Sequence, residues 1–174
     1  MAYYDEISEG YNDLHREEQE KKIEIILDLL EITNEDNILD VGCGTGFFLE
    51  KIHRLPHDPD LLTGIDSSQG MLKQCRDKEI RLIYGEAEHL PFKDKKFDII
   101  TSITAIHNFQ STQKGLEEIN RVSKDDARII ITTLKQSKVI DVLKHQLGQL
   151  FNIERILEED KDLIFVLTKK DIYS

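Results

Sequence analysis

The sequence has no apolar run near the roughly 18 residues that a membrane span requires. Its opening stretch, MAYYDEISEGY, is acidic and lacks the apolar core of a signal peptide. Read together, these absences predict a cytoplasmic protein with no membrane partner. Only two cysteines are present, Cys43 and Cys75, and their separation makes no metal-ligand spacing. No metal site is expected, and both thiols read as small buried residues. Basic residues are outnumbered, 23 Lys and Arg against 34 Asp and Glu, for a net charge of −11. Polyanions are held by clustered cations, so unassisted nucleic-acid binding is not expected. No internal repeat, low-complexity tract or linker divides the 174 residues, a length that suits one domain burying about two-thirds of its unfolded surface.

The chain is organised around residues 38 to 50, ILDVGCGTGFFLE. A short apolar run, Ile38 to Val41, is interrupted only by Asp40. Gly42, Gly44 and Gly46 follow at alternate positions, and then Phe47, Phe48, Leu49 and Ile52 crowd one helical face. That is strand, tight turn, helix. Glycines at such a turn allow positive φ and let a ligand lie against bare main chain, so a nucleotide pocket is the natural reading. The dinucleotide fingerprint, however, asks for a third small residue where Phe47 stands. Asp40 would also repel a pyrophosphate at the lip of the strand and welcome a cation. A nicotinamide oxidoreductase is therefore the weaker reading.

The rest of the chain alternates in period. Ile23, Ile26, Leu27 and Leu30 form one face of a helix from about Leu14, with the run Arg16 to Lys22 as its solvated side. After the glycine turn, Phe48, Ile52 and Leu55 point inward until Pro56 ends the helix. Leu61 to Ile65 make a second strand closing on Asp66. Ser67 or Ser68 caps a helix whose inward residues are Met71, Leu72 and Cys75. Residues 80–84 and Phe97 to Ile103 are further strands, the latter apolar enough for burial on both faces. Leu116, Ile119 and Val122 mark a helix, residues 127–134 a strand, and Val139, Leu143, Leu147 and Leu150 the last helix. Residues 151–159 and 162–170 are joined by so short a link that they can pair only antiparallel. This pattern predicts an α/β fold, a mostly parallel sheet with one antiparallel strand and helices on both faces.

Asp66 stands twenty residues after Gly46, at the end of the second strand. A carboxylate there can accept both ribose hydroxyls of a nucleoside lying over the glycine turn, or it can cap the helix beside Ser67. GEAEHLPF, residues 85–92, follows the third strand. Glu86 and the Ala87 amide supply an acceptor and a donor of the kind that read the adenine edge.

A positively charged nucleoside without phosphate is S-adenosylmethionine. DVGCGTG, Asp66 and GEAEHLPF, in that order, resemble the motifs of the class I, Rossmann-like S-adenosylmethionine-dependent methyltransferases, among them the small methyltransferase-domain proteins of types 11 and 25. The resemblance covers about Asp36 to Lys170 and departs from the usual pattern at Glu86, where Asp is common. It implies a doubly wound seven-stranded sheet of order 3-2-1-4-5-7-6 in a single domain over 1–174. Within it, 1–33 would be a lid and helix, 34–134 the cofactor-binding core, and 135–174 the last helix and hairpin.

The likeness also implies roles. Gly42, Cys43, Gly44 and Gly46 would admit the methionine portion, and Asp40 would favour its charge. Asp66 and Ser67 would meet the ribose, with Glu86, Ala87 and Met71 around the adenine. Ile103 would face the methyl group, and Tyr11, with Tyr4 behind it, would close a lid. The product would be S-adenosylhomocysteine, formed by direct displacement.

The segment FDIITSITAIHNF lacks the Asn-Pro-Pro-Tyr type of sequence of amino-group enzymes and the cysteine nucleophile of cytosine C5 enzymes. His107, the titratable group there, can serve as a base or simply pack beside the cofactor, and His89 reads as a surface loop residue. The acceptor stays open. A thin lid suits a protein side chain, a structured RNA or a site completed by a second, partner subunit, and the acidic surface makes the last two compatible only with a basic partner protein. A small-molecule enzyme with an ordering lid and a non-catalytic, partner-stabilising subunit are the alternatives.

Overall fold

The computed structural model describes residues 11–137 and 140–170, without the side chains of 11–18. Seven strands form one sheet in the order β3-β2-β1-β4-β5-β7-β6. They are β1 (Ile38–Val41), β2 (Leu62–Asp66), β3 (Arg81–Tyr84), β4 (Phe97–Ser102), β5 (Ser123–Leu134), β6 (Phe151–Glu159) and β7 (Asp162–Lys169). Strands β1 to β5 pair parallel, and β7 runs antiparallel to both β5 and β6. The expected strand order and the single reversed strand are both present. The helices are α1 (Tyr11–Leu30), α2 (Phe47–His53), α3 (Gln69–Lys73), α4 (Thr112–Val122) and α5 (Ile140–Leu150).

Strand alternation explains the layering. Successive side chains point to opposite faces, so Ile38, Ile99, Ile130 and Ile164 join one core with α1 and α2. Their neighbours Leu39, Ile100, Ile131 and Phe165 join another with α4 and α5. All four residues of β1 are buried because helices cover both faces. Since the order reverses on either side of β1, its carboxyl end and that of β4 open the crevice where ligands of such sheets bind.

Several local expectations are corrected. Helix α1 begins at Tyr11 rather than Leu14, and Lys22, expected on its solvated side, is buried. Leu55, expected inward, is 49% exposed because α2 ends at His53 and the turn after it swings outward. Leu61 closes a 3₁₀ turn, Pro59–Leu61, instead of opening β2. Strand β5 starts four residues early, with a register shift against Phe97 and Ile99. Val139 lies outside the described residues. Arg128 on β5 ties down the end of α1, donating to the Leu30 carbonyl and, at 2.8 Å, to that of Glu31. It also pairs with Asp36 at 2.6 Å; a cation at a helix carboxyl end satisfies carbonyls the helix cannot.

Candidate active site

A cavity of about 680 Å³ opens at the carboxyl ends of β1, β2 and β4. The glycine turn forms its floor. Gly42 and Cys43 both donate N–H to the Ile65 carbonyl, at 2.8 and 3.1 Å, fastening the turn to the end of β2. Gly42 has φ +76°, and a Cβ there would stand 2.4 Å from that of Ala105. Only glycine satisfies both the backbone and the space. Gly46 does not line the cavity; it is the left-handed cap of α2, packed under Cys75 and Leu82.

Asp66 locks two loops together. One carboxylate oxygen accepts from the Gly44 N–H and the other from the Ser68 N–H, both at 2.8 Å. Asp66 thus orders the glycine turn and the start of α3 through both of its oxygens. Both serines line the cavity, and of the two Ser68 is the cap of α3, accepting from Met71 N–H at 3.2 Å. The cap sets Met71 against the turn, its methyl 3.2 Å from where a Gly44 Cβ would be.

Asp40 is buried rather than poised at the lip, and its carboxylate accepts from Thr101 Oγ1 at 2.7 Å. Burial, reinforced by the charge of Asp66, pushes its pKa up to about 7, against the opposing hydrogen bond of Thr101. A carboxyl this poorly solvated gains from a neighbouring cation. Cys43 lines the same wall, and burial pushes its thiol up, away from reactivity.

The loop after β3 forms the next wall, with Glu86, Ala87 and Glu88 on the cavity. Glu86 Oε1 accepts from Gln110 Nε2 at 2.9 Å, and Glu88 Oε1 accepts from Ser111 N–H at 2.9 Å. Arg121 on α4 braces this loop, donating to the carbonyls of Phe92 at 2.8 Å and Leu90 at 3.0 Å. Glu118, one turn before it, accepts from Leu90 N–H at 2.8 Å, and pairing with Arg121 lowers its pKa. Sequence reading missed these braces; the signal was an acid and a base three apart on one helix face.

From Ile103 onward the lining of the same cavity passes to Thr104, His107 and Leu134, with Lys22 of α1 and Asp162 of β7, and this part of it is termed the second chamber. Thr104, although β-branched, has φ +51°, an outlier that needs surrounding contacts to hold it. Its N–H donates to Thr132 Oγ1 at 2.8 Å, and its hydroxyl accepts from Lys22 Nζ at 2.9 Å. Lys22 also pairs with Asp162 at 2.5 Å, with side chains 11% and 8% exposed. His107 lies on a 3₁₀ turn, Ile106–Asn108, and lines the chamber. Local desolvation lowers its pKa, opposed by the charge of Asp162. Asp40, Gly42, Cys43, Gly44, Asp66 and Ser67 thus share one cavity with Met71, Glu86, Ala87, Ile103 and His107. The side chain of Tyr11, and all of Tyr4, lie outside the described residues. His89, with 78% of its side chain exposed, is on the surface.

A family model described as a methyltransferase domain matches residues 39–131. The chain belongs to that family, the methyltransferase domain of type 11. Among curated relatives, a demethylmenaquinone methyltransferase of Thermotoga maritima is 34% identical over 145 residues, 77% of this chain and 61% of the relative. An uncharacterised protein of Methanocaldococcus jannaschii is 30% identical over 164 residues, 93% of this chain and 62% of the relative. The chain therefore spans about three-fifths of the length of these relatives. In the complex between the Haloferax volcanii Trm112 methyltransferase activator and a methyltransferase, one chain superposes with TM-score 0.81 at 14% identity. That match covers 97% of this chain and 98% of the other, and it shows the fold. Among the described residues, no helix is long and apolar enough to cross a membrane.

Proposed function

We propose that this chain is an S-adenosylmethionine-dependent methyltransferase (EC 2.1.1.-) acting by direct displacement. The observation that carries the reading is the single cavity joining the glycine turn, Asp66 and the Glu86 loop to a second chamber. Its volume of about 680 Å³ lies within the range of small-molecule sites. S-adenosylmethionine supplies a methyl group activated by a positive sulfonium. Asp66 receives the ribose while holding both loops, and Glu86 with the Ala87 amide receives the adenine. Gly42, Cys43 and Gly44 leave main chain bare for the methionine portion. Asp40 contributes a carboxylate whose ionised form the sulfonium stabilises. Ile103 and Thr104 border the reacting centre, where the protein's task is alignment and exclusion of water. His107, on the lining of the same cavity, is available to the acceptor as a base.

Calorimetric titration with S-adenosylmethionine and S-adenosylhomocysteine tests this reading. Micromolar binding is expected, weakened about 10- to 100-fold by Asp66→Ala through the loss of charge-assisted hydrogen bonds. Absence of binding by the folded protein would sink the stand-alone enzyme. The Haloferax neighbour, described in complex with an activator, supports a second reading in which a partner subunit completes the site. The net charge of −11 favours a basic partner. In that case binding returns only when the partner is added.

A further inference from the structure

The second chamber holds a polar device that the cofactor reading leaves unused. Lys22 comes from α1, Thr104 from the turn after β4, and Asp162 from the first residue of β7, and all three line the chamber. A buried lysine is rare unless paired. An ammonium has three donors and no acceptor, whereas a carboxylate only accepts. Among the described residues, Lys22 Nζ donates to Asp162 Oδ2 and Thr104 Oγ1. The recorded partner of Asp162 Oδ1 is the Thr104 hydroxyl at 3.4 Å, a long contact. The pair therefore presents to the chamber one donor on Lys22 and a weakly used acceptor on Asp162.

We propose that Lys22 and Asp162 bind the methyl acceptor, and that the acceptor is a hydroxyl group on an apolar skeleton. This inference rests on the methyltransferase reading above. A hydroxyl both donates and accepts, so it satisfies Asp162 and Lys22 together. A protonated amine meets the repulsion of Lys22, a carboxylate that of Asp162, and a thiol is a weak partner for both. Leu134, 40% exposed at the end of β5, lies on the chamber wall with Ile103. These side chains give the skeleton its apolar contact. The strained Thr104 is explained as well, because its backbone conformation brings its hydroxyl beside both charged groups.

In the transfer, the acceptor oxygen forms its bond to the methyl carbon as its proton passes to the Asp162 carboxylate. The methyl–sulfur bond breaks with its electron pair left on sulfur, which becomes a neutral thioether. Lys22 stays charged and stabilises the negative charge developing on the acceptor oxygen. The proton on Asp162 then leaves to water.

The test uses the wild type and the double variant Lys22→Met/Asp162→Leu, which removes both charges without stranding either. Calorimetry with S-adenosylhomocysteine comes first, and both proteins are expected to bind within twofold of each other. Each is then given methyl-labelled S-adenosylmethionine with 2-naphthol, 2-(aminomethyl)naphthalene, 2-naphthalenemethanethiol or 2-naphthoic acid. Binding of 2-naphthol to the S-adenosylhomocysteine complex is measured separately. The wild type is expected to bind 2-naphthol and to methylate it in preference to the other three. The double variant should lose about 100-fold in transfer and about tenfold in 2-naphthol affinity. Preference for the amine, thiol or acid, failure of the wild-type complex to bind 2-naphthol, or wild-type transfer by the double variant would each overturn the proposal. Failure of the wild type to bind S-adenosylhomocysteine would instead remove the methyltransferase reading on which the proposal rests.

Discussion

The two chambers of the cavity are built by different means. The first rests on three short motifs within residues 42–88: the turn at 42–45, Asp66 at the end of the neighbouring strand, and the loop at 85–88. The second is assembled from α1, the turn after β4, and the tip of the β6–β7 hairpin, with 82 residues between Lys22 and Thr104 and 58 between Thr104 and Asp162. Backbone hydrogen bonds and glycine geometry carry the first, and a buried ion pair carries the second. A site resting on main chain tolerates changes of side chain around it. A site resting on one ion pair does not tolerate the loss of a single partner.

The sharpest way to break this contrast is Lys22→Met alone. It strands the Asp162 carboxylate in a site where that side chain is 8% exposed, and should cost about 3–5 kcal/mol. Lys22→Met/Asp162→Leu should return to within about 1 kcal/mol of the wild type by the same reasoning. Denaturant unfolding of both variants checks the pair. Equal losses in the two would mean that the cost of the single change is not that of a stranded carboxylate.

In the first chamber the corresponding stress falls on the backbone. Gly42→Ala must accept φ +76° and a Cβ 2.4 Å from that of Ala105. Backbone strain and overpacking together should cost about 2–4 kcal/mol, readable as a lowered midpoint in the same unfolding experiment. A near-neutral result would show that the turn can shift, and that its rigidity has been overstated.

The smallest expected effect carries a pH signature. The pKa of Asp40 rises from 3.8 to about 7 on folding, so between those values the folded state holds a proton that the unfolded state has lost. Its contribution to stability is complete below that window and is lost as pH rises through it. Asp40→Asn, which keeps an acceptor for Thr101, should raise stability at pH 8 by about 1–3 kcal/mol. The same variant should weaken S-adenosylmethionine more than S-adenosylhomocysteine, because only the former carries the cation. In the wild type, affinity for S-adenosylmethionine should climb with pH through about 7 while that for the product stays flatter. Parallel pH curves for the two ligands would detach Asp40 from the sulfonium.

Periodicity determined the strands, the helices and the two cores, because alternation along a strand and spacing along a helix are local consequences of backbone geometry. The glycine turn and its followers were legible for the same reason, each motif being a few consecutive residues with a fixed relation to a strand end. Lys22 read as solvated because six of the seven residues from Arg16 to Lys22 are charged, and nothing nearby foretells an acid on β7. Gly46 read as part of the pocket because its spacing matches that of Gly42 and Gly44, but the start of α2 turns it toward Cys75 and Leu82. Asp40 read as a lip residue because sequence carries no depth. Only the closing of β2 and β4 on either side of β1 decided that its carboxylate would be buried, and only the hairpin's return across the sheet gave Lys22 its partner. Contacts between segments so far apart in the chain exist only once the sheet order has been chosen.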